Sequence, residues 1–445
     1  MIEYRNLRVA LLGAGSVGAQ VVSLLLQHGD ELGQRSGAGI ELVGVAVRDI
    51  DAPRSAEIPK HLLTTDAEAL IVGADIVIEL IGGIEPARSF ILQALNSGAD
   101  VITANKALLA THGPELFDAA AQVGAQIYYE AAVAAAIPII RPLRDSLAGD
   151  RIRRIMGIVN GTTNFILDRM DTAGESLETA LQTATDLGYA EADPTADIEG
   201  FDAAQKAAIL ASLAFHTNVP IDRVYREGIT SVTLEQVDAA RKAGYVVKLL
   251  AICERLVDRE TGTEGVSARV YPALVPRTHP LATVHAAKNA VFIEAEAAGD
   301  LMFYGAGAGG IETASAVLGD LVSAARRHVI GGPGVTESTD ADLPILPISS
   351  VTTRYQISLS VVDRPGVLAA VANLFSEHGV SIETVVQSVA SSHPGADGAA
   401  GAPGATLVIG THEASESDLS ATVLALGESS AVSSVTSVLR VEGSE

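Results

Sequence analysis

The sequence predicts an α/β protein built from three successive parts: a parallel sheet with helices on both faces, an α+β region, and a compact βαββαβ module. Three observations carry this prediction. Residues 1–150 alternate short β-branched runs with longer helical patterns, and strand–helix–strand repetition at that spacing means right-handed crossovers and a parallel sheet. Beyond about Arg151 the alternation gives way to helices gathered between isolated extended runs. Residues 330–350, IGGPGVTESTDADLPILPISS, crowd Gly, Pro, Ser and Asp without a helical period and read as a linker, after which 351–445 takes up the βαββαβ rhythm. The expected units are 1–150, 151–329 and 351–445, in keeping with the two or three domains that 445 residues suggest.

In the first unit the predicted strands are Arg8–Leu12, Leu42–Val47, Asp75–Ile81, Asp100–Thr103 and Gln126–Glu130, with helices at Val17–Gln27, Ala87–Asn96 and Pro114–Gln122 and a long loop at Gly29–Gly39. In the second, an extended Ile152–Val159 precedes helices around Thr163–Met170, Leu177–Thr185, Asp202–Phe215 and Leu234–Ala243. Extended runs return at Val266–Pro272 and Ala290–Ala295, and a last helix, Thr313–His328, is expected to pack back on the first unit. The third unit has strands Tyr355–Val362, Val380–Val389, Thr406–Thr411 and Val432–Val441, and helices Val367–His378 and Glu416–Leu426. Its low-complexity stretch Ser391–Gly404 is expected to be a mobile loop.

Hydrophobic residues make up 48% of the chain, which excludes wholesale disorder. Acidic residues outnumber basic ones 54 to 30, a net charge of −24, so no basic field would draw in a nucleic acid. Tryptophan is absent and aromatics are 4%, which also argues against a base-stacking platform. The opening MIEYRNLRVALLGAG has no charged leader, and its apolar run breaks at glycines, so it reads as a strand rather than a signal peptide. No stretch of about 18 apolar residues occurs, so no transmembrane helix is expected. Together these lead to a soluble, cytoplasmic protein without membrane or nucleic-acid partners. The single cysteine, Cys253, lies in the apolar stretch Tyr245–Leu256 and reads as a plain core residue.

Arg8–Gly18, RVALLGAGSVG, places Gly13, Gly15 and Gly18 in a GxGxxG turn directly after a strand and before a helix. Gly13 allows the tight turn, Gly15 lets a pyrophosphate approach the backbone, and Gly18 lets helix and strand pack closely, while the helix N–H groups face the anion. In this context the pattern favours a Rossmann-type dinucleotide site over an empty βα turn. After the second strand come Arg48 and Asp49; an acid there would bind the ribose hydroxyls and an arginine a 2′-phosphate. The choice stays open, with Arg48, followed by Arg54 and Lys60, favouring NADP(H) and NAD(H) tolerated.

Gly200–Phe215, GFDAAQKAAILASLAF, is apolar on nearly every face, the signature of a buried helix, yet carries Asp202 and Lys206 one turn apart. A lysine in such a place has an easily shifted pKa, suited to proton transfer. The preceding LGYAEADPTADIEG holds Glu191, Asp193, Asp197 and Glu199 on a loop broken by Gly188 and Pro194. Carboxylates there could hold a substrate ammonium group, the bland alternative being a solubilising acidic loop. Lys106, in VITANKALLA, follows the strand Asp100–Thr103 at the carboxyl edge of the sheet, where ligands bind. The turn Asn160–Asn164, NGTTN, could also contact a ligand.

At these residues the chain resembles the homoserine dehydrogenases of the long form with a C-terminal regulatory extension. The resemblance rests on GAGSVG, on ELIGG at Glu79–Gly83 and TANK at Thr103–Lys106, and on YYEAAVAAAIPII at Tyr128–Ile140. It continues through GIVNGTTNFIL at Gly157–Leu167, LGYAEADPTADIEGFDAAQK at Leu187–Lys206 and GAGAGGIETASAVLGDL at Gly305–Leu321. It implies reversible NAD(P)H-dependent reduction of L-aspartate 4-semialdehyde to L-homoserine, within threonine, methionine and isoleucine biosynthesis. By motif, Lys206 is the proton donor with Lys106 as a second catalytic lysine, and Glu191, Asp197 and Asp202 bind substrate. The cofactor contacts it implies are Gly13, Ala14, Gly15, Ser16, Val17, Gly18, Arg48, Gly82, Thr103, Lys106, Gly161, Gly188 and Gly309. Glu130 and the carbonyls of Val133, Ala135 and Ile137 resemble the family's monovalent cation (Na⁺) site.

The C-terminal module resembles an ACT domain, with VVDRPGVL at Val361–Leu368 as its strand-to-helix turn and Asp363 and Gly366 setting the bend. That resemblance implies pairing into a homodimer or homotetramer and feedback inhibition by L-threonine. Two other readings compete: a Rossmann oxidoreductase on a related amino-acid aldehyde or keto acid, and a non-catalytic cofactor sensor.

Overall fold

The computed structural model describes residues 5–443 apart from 260, 333, 336, 338 and 390–403. The stretch Ser391–Gly404 lies outside the described residues except for Gly404. The β-branched runs of the first unit form β1 (Leu7–Leu12), β2 (Ile40–Ala46), β3 (Leu63–Thr64), β4 (Ile76–Glu79), β5 (Asp100–Thr103) and β6 (Ile127–Tyr128). All six are parallel, in the order β3-β2-β1-β4-β5-β6. The chain turns one way from β1 to β2 and the other way to β4, so a crevice opens beyond the carboxyl ends of β1 and β4. The crossovers are α1 (Ser16–Ser36), α2 (Ala67–Ile71), α3 (Ala87–Asn96) and α4 (Lys106–Val123).

Two predicted boundaries are corrected here. The loop expected at Gly29–Gly39 is mostly helix: α1 runs to Ser36 and stops at Gly37, whose φ of 86° turns the chain. Glycines inside a helix cost about 1 kcal/mol each, but α1 lays Val21, Leu25 and Leu32 into a buried cluster that overrides this. Helix α4 begins eight residues ahead of the expected Pro114, at Lys106, because Asn105 caps it through the Leu108 N–H.

The second unit contains β7 (Ile152–Ile158), α5 (Gly161–Ala173), α6 (Leu177–Asp186), α7 (Thr195–Ile198), α8 (Phe201–Phe215), β8 (Tyr225–Arg226) and α9 (Leu234–Lys242). Then come β9 (Tyr245–Val257), β10 (Glu264–Pro276), β11 (Lys288–Ala295), β12 (Gly299–Ala306) and α10 (Gly310–Ile330). The sheet order is β12-β11-β7-β9-β10, with α5, α8 and α9 packed on it. Helix α10 leaves this unit and packs along α1, its Ala314, Val317, Leu321 and Ala324 buried in the first unit's cluster. Cys253 is fully buried on β9.

The last unit is β13 (Thr352–Val362), α11 (Val367–Glu377), β14 (Ile382–Val389), β15 (Gly404–Thr411), β16 (Ala414–Ser415), α12 (Glu416–Glu428) and β17 (Val432–Val441), with sheet order β17-β13-β15-β14. It is joined to the second sheet: β17 pairs with β10 through Ala273/Arg440 and Leu274/Val441. Buried charges close the seam. Glu442 pairs with Arg154 and accepts from Tyr271 Oη at 2.5 Å, while Arg440 pairs with Glu227 at 2.9 Å and with Glu416 at 2.5 Å. The described residues of 330–350 are likewise tied to both preceding units: Glu337 pairs with Arg144, Val266 N donates to Pro344 O at 2.9 Å, and Leu346 N donates to Val266 O at 2.8 Å.

Candidate active site

The glycine turn after β1 is set by sterics. Gly13 has φ 95°, and a Cβ there would lie 2.7 Å from Leu80 O; one at Gly18 would lie 2.1 Å from Gly13 O. A Cβ at Gly15 would meet no atom of the described residues within 4 Å, so the space above it is open. Gly15 is also the N-cap of α1 and has no side-chain cap, which leaves the first N–H groups of the helix facing that space with Ala14, Ser16 and Val17 around it. The glycine-started N-terminus of α10 abuts the same turn: Gly309 is its uncapped N-cap, and a Cβ on Gly310 would lie 3.0 Å from Ser16 O. Beyond β2, Arg54 folds back onto the carbonyls of Asp49, Ile50 and Ala52, and Lys60 pairs with Asp51 at 3.7 Å. Arg48 is exposed, and its guanidinium makes no ion pair or hydrogen bond among the described residues.

The ends of β4 and β5 are locked together by Glu79. Its buried carboxylate accepts from Ile81 N at 2.7 Å, Gly82 N at 3.1 Å and Thr103 Oγ1 at 2.7 Å. Thr103 has no exposed surface, and its hydroxyl also accepts from Asn105 N at 3.0 Å. Its side chain is therefore engaged in holding the two loops together. Asn105 donates to Gly83 O at 2.6 Å and starts α4, which carries Lys106 at the carboxyl edge of the parallel sheet.

Lys106 reaches from there to the second unit. Its Nζ lies 3.1 Å from Asp202 Oδ1, and Lys206 Nζ donates to Asp202 Oδ2 at 2.7 Å and to Val159 O, at the end of β7, at 2.6 Å. Asp202 and Lys206 are each 8% exposed, as the apolar character of α8 predicted, whereas the Lys106 side chain is 40% exposed. Burial works to raise the Asp202 pKa, but the charges of Lys206 and Lys106 outweigh it and hold this carboxyl at about 2. Asp197, on α7, accepts from Asn160 Nδ2 at 2.6 Å; burial pushes its pKa up, aided by the neighbouring Asp202 charge. The α7–α8 turn is held from behind. Ile229 N donates to Ile198 O at 2.7 Å, Arg226 donates to Glu199 O and stacks on Phe201, and a Cβ on Gly228 would lie 2.3 Å from Ile198 O.

The structure thus brings Lys106, Asp197, Asp202 and Lys206 into one cluster. Glu191 and Gly188 sit exposed on the loop leading into it, and Glu191 makes no hydrogen bond to either lysine among the described residues. Gly161 opens α5 against Ala287, with a would-be Cβ 2.8 Å from Ala287 O; Gly82 has φ 79°. Sequence reasoning gave no role to Glu79 or to the Asn160 side chain; both lie inside quoted motifs, but the partners that matter to the site, Thr103 for Glu79 and Asp197 and Asp202 for Asn160, are remote in the chain.

Glu130 is buried, and its carboxylate accepts from the N–H groups of Ile139 at 2.5 Å, Ile140 at 2.8 Å and Arg141 at 3.0 Å, and from Arg141 Nε at 2.8 Å. Those donors occupy the side chain, so main-chain oxygens are what this segment can offer a cation. The carbonyls of Val133, Ala135 and Ile137 accept no hydrogen bond among the described residues, and Ala135 has φ 47°.

An uncapped anion cradle and a lysine–carboxylate cluster at one edge of a parallel sheet define a dinucleotide-dependent oxidoreductase, and residues 13–130 match the NAD-binding domain of homoserine dehydrogenase. Residues 138–322 match the homoserine dehydrogenase family and 355–428 the ACT domain. The chain is 54% identical over 436 residues to a homoserine dehydrogenase of Corynebacterium glutamicum, covering 98% of this chain and 95% of that one. It is 53% identical over 437 residues to one of Mycobacterium tuberculosis, covering 98% and 97%. The chain belongs to the homoserine dehydrogenase family. Among solved structures, that of a homoserine dehydrogenase from Thiobacillus denitrificans matches with a TM-score of 0.88 at 38% identity, covering 99% of each chain. A hyperthermophilic archaeal homoserine dehydrogenase in complex with NADPH matches with a TM-score of 0.59 at 26% identity, over 74% of this chain and 99% of that one.

Proposed function

We propose that the protein catalyses the reversible reduction of L-aspartate 4-semialdehyde to L-homoserine, with NADPH preferred and NADH tolerated. The observation that carries this reading is the single Asp202 carboxylate shared by the Lys106 and Lys206 ammoniums. When bound, the nicotinamide supplies the hydride. Lys206 Nζ stabilises the negative charge that grows on the carbonyl oxygen and donates its proton there, a contribution typically of about 10²–10⁴-fold. Asp202 keeps both ammoniums oriented, and Lys106 steadies the oxygen from the cofactor side. Glu191, Asp197 and Asp202 receive the substrate ammonium group. The backbone of Gly13–Gly18 with Gly309 holds the pyrophosphate, Arg48 the 2′-phosphate, and Gly82, Gly161 and Gly188 border the nicotinamide.

The carbonyls of Glu130, Val133, Ala135 and Ile137 would hold Na⁺, a hard cation suited to main-chain oxygen. The ACT unit takes L-threonine beside Asp363 and Gly366 and lowers activity. The enzyme works as a cytoplasmic homodimer or homotetramer in threonine, methionine and isoleucine biosynthesis; no described helix is long and apolar enough to cross a membrane. A single assay tests the reading: NADPH oxidation with aspartate semialdehyde against other amino-acid aldehydes, with NADH in parallel and with threonine added. Equal rates on all aldehydes would refute the substrate, and an unchanged rate with threonine would refute the effector.

A further inference from the structure

We infer that Asn160 is a positioning residue for this reaction: its side-chain amide ties Asp197 to Asp202 and fixes the spacing of the two carboxylates offered to the substrate ammonium. The inference rests on the proposed role of that cluster. Asn160 is the N-cap of α5, two residues past β7, 6% exposed, with extended backbone at φ −124°. Its Nδ2 donates to Asp197 Oδ1 at 2.6 Å and to Asp202 Oδ2 at 3.0 Å, which uses both amide hydrogens. Its Oδ1 accepts from Thr163 N and Thr163 Oγ1, both at 2.9 Å, so the amide can face only one way. A buried carboxylate and a half-buried one from different helices would otherwise repel; a neutral donor between them joins α7 to α8 without adding charge. Asp202 is held in turn by Lys206 and Lys106, so the amide sets Asp197 against the whole charged cluster.

Asn160 also caps α5, and a purely capping role is the alternative to be separated. Asn160→Ser keeps a good cap, and Asn160→Gly weakens a helix start only slightly, yet neither can bridge the carboxylates. The groups facing Asp197 are Asn160 and Thr162 at the start of α5 and Asp202 and Lys206 on α8, with Lys106 of α4 facing Asp202. A donor to a carboxylate favours its charged form, so its loss raises the Asp197 pKa further and moves the acid limb of the kcat/KM profile to higher pH.

The full-length variants should still melt cooperatively, at a somewhat lower temperature, and keep their NADP⁺ affinity, while kcat/KM for homoserine falls roughly 10- to 100-fold, the range expected for a hydrogen bond to a charged group, chiefly through KM. A kcat/KM within about threefold of the parent, or a fall with an unmoved acid limb, overturns the inference. Asp202→Asn is the control. If it too runs at the parent rate, the reading of the cluster has failed; if it is crippled while both Asn160 variants are not, only the inference has.

Discussion

Replacing Asp202 by asparagine keeps the shape of the side chain and removes the one charge that both lysines share. In the structure this carboxylate accepts from Lys206 at 2.7 Å and from Asn160 at 3.0 Å and pairs with Lys106 at 3.1 Å. Lys106, with its side chain 40% exposed, can turn to water and loses little. Lys206 is 8% exposed and cannot, and stranding one member of a buried pair costs about 3–5 kcal/mol. We therefore expect Asp202→Asn to lose about 3 kcal/mol of stability. It should also lose roughly 10²–10³ in kcat/KM, because the ammonium that stabilises the developing oxyanion is no longer held in place. Cofactor affinity should stay within about twofold, since the Gly13–Gly18 cradle belongs to other loops. The pH dependence has a definite sign. A carboxyl held at about 2 against an ordinary 3.8 adds stability that is fully present above pH 3.8 and lost as pH falls through about 2; the variant should lack that acid-side loss. Steady-state kinetics and chemical denaturation between pH 7 and pH 2 read both effects. A variant within threefold of the parent kcat/KM would refute the shared-carboxylate reasoning.

Other expectations follow from the same coordinates. Gly15→Ala should leave the stability of the cofactor-free protein within about 1 kcal/mol, because its Cβ meets no atom of the described residues, yet weaken NADPH binding at least tenfold; Gly13→Ala should instead cost about 2 kcal/mol in strain, read by thermal melting. Arg48→Ala should raise the KM for NADPH roughly tenfold while leaving that for NADH nearly unchanged; an unchanged ratio would assign the 2′-phosphate elsewhere. Glu442→Gln should lower the urea midpoint of the whole chain by taking from Arg154 its close carboxylate at the β10–β17 seam, at about 2 kcal/mol, with Arg154 and Arg269 both keeping Glu254; melting of the C-terminal unit alone would contradict the continuous sheet.

Local pattern explains which features were readable in advance. The lysine of α8 stood out because its helix is otherwise apolar apart from Asp202, Gln205 and Ser212, and Gly13 and Gly18 because of their spacing after a strand, a spacing the sterics at both positions require. Strand β9 was not readable: Tyr245–Val257 is apolar apart from Lys248, Glu254 and Arg255, a composition that strand and buried helix share. The tail of α1 was hidden by Gly29 and Gly33, whose cost is offset only by packing on α10, far away in the chain. Residues 330–350 have linker composition, yet backbone bonds to Val266 and the Glu337–Arg144 pair tie them down. The Glu79 clasp, the Asn160 bridge and the Arg440 seam all depend on partners brought together by the fold, and periodicity carries no such signal.

The most direct test is Lys206→Ala assayed in both reaction directions alongside NADPH binding. Turnover should fall about 10²–10⁴-fold with the cofactor dissociation constant nearly unchanged. Near-normal turnover would show that a different group delivers the proton.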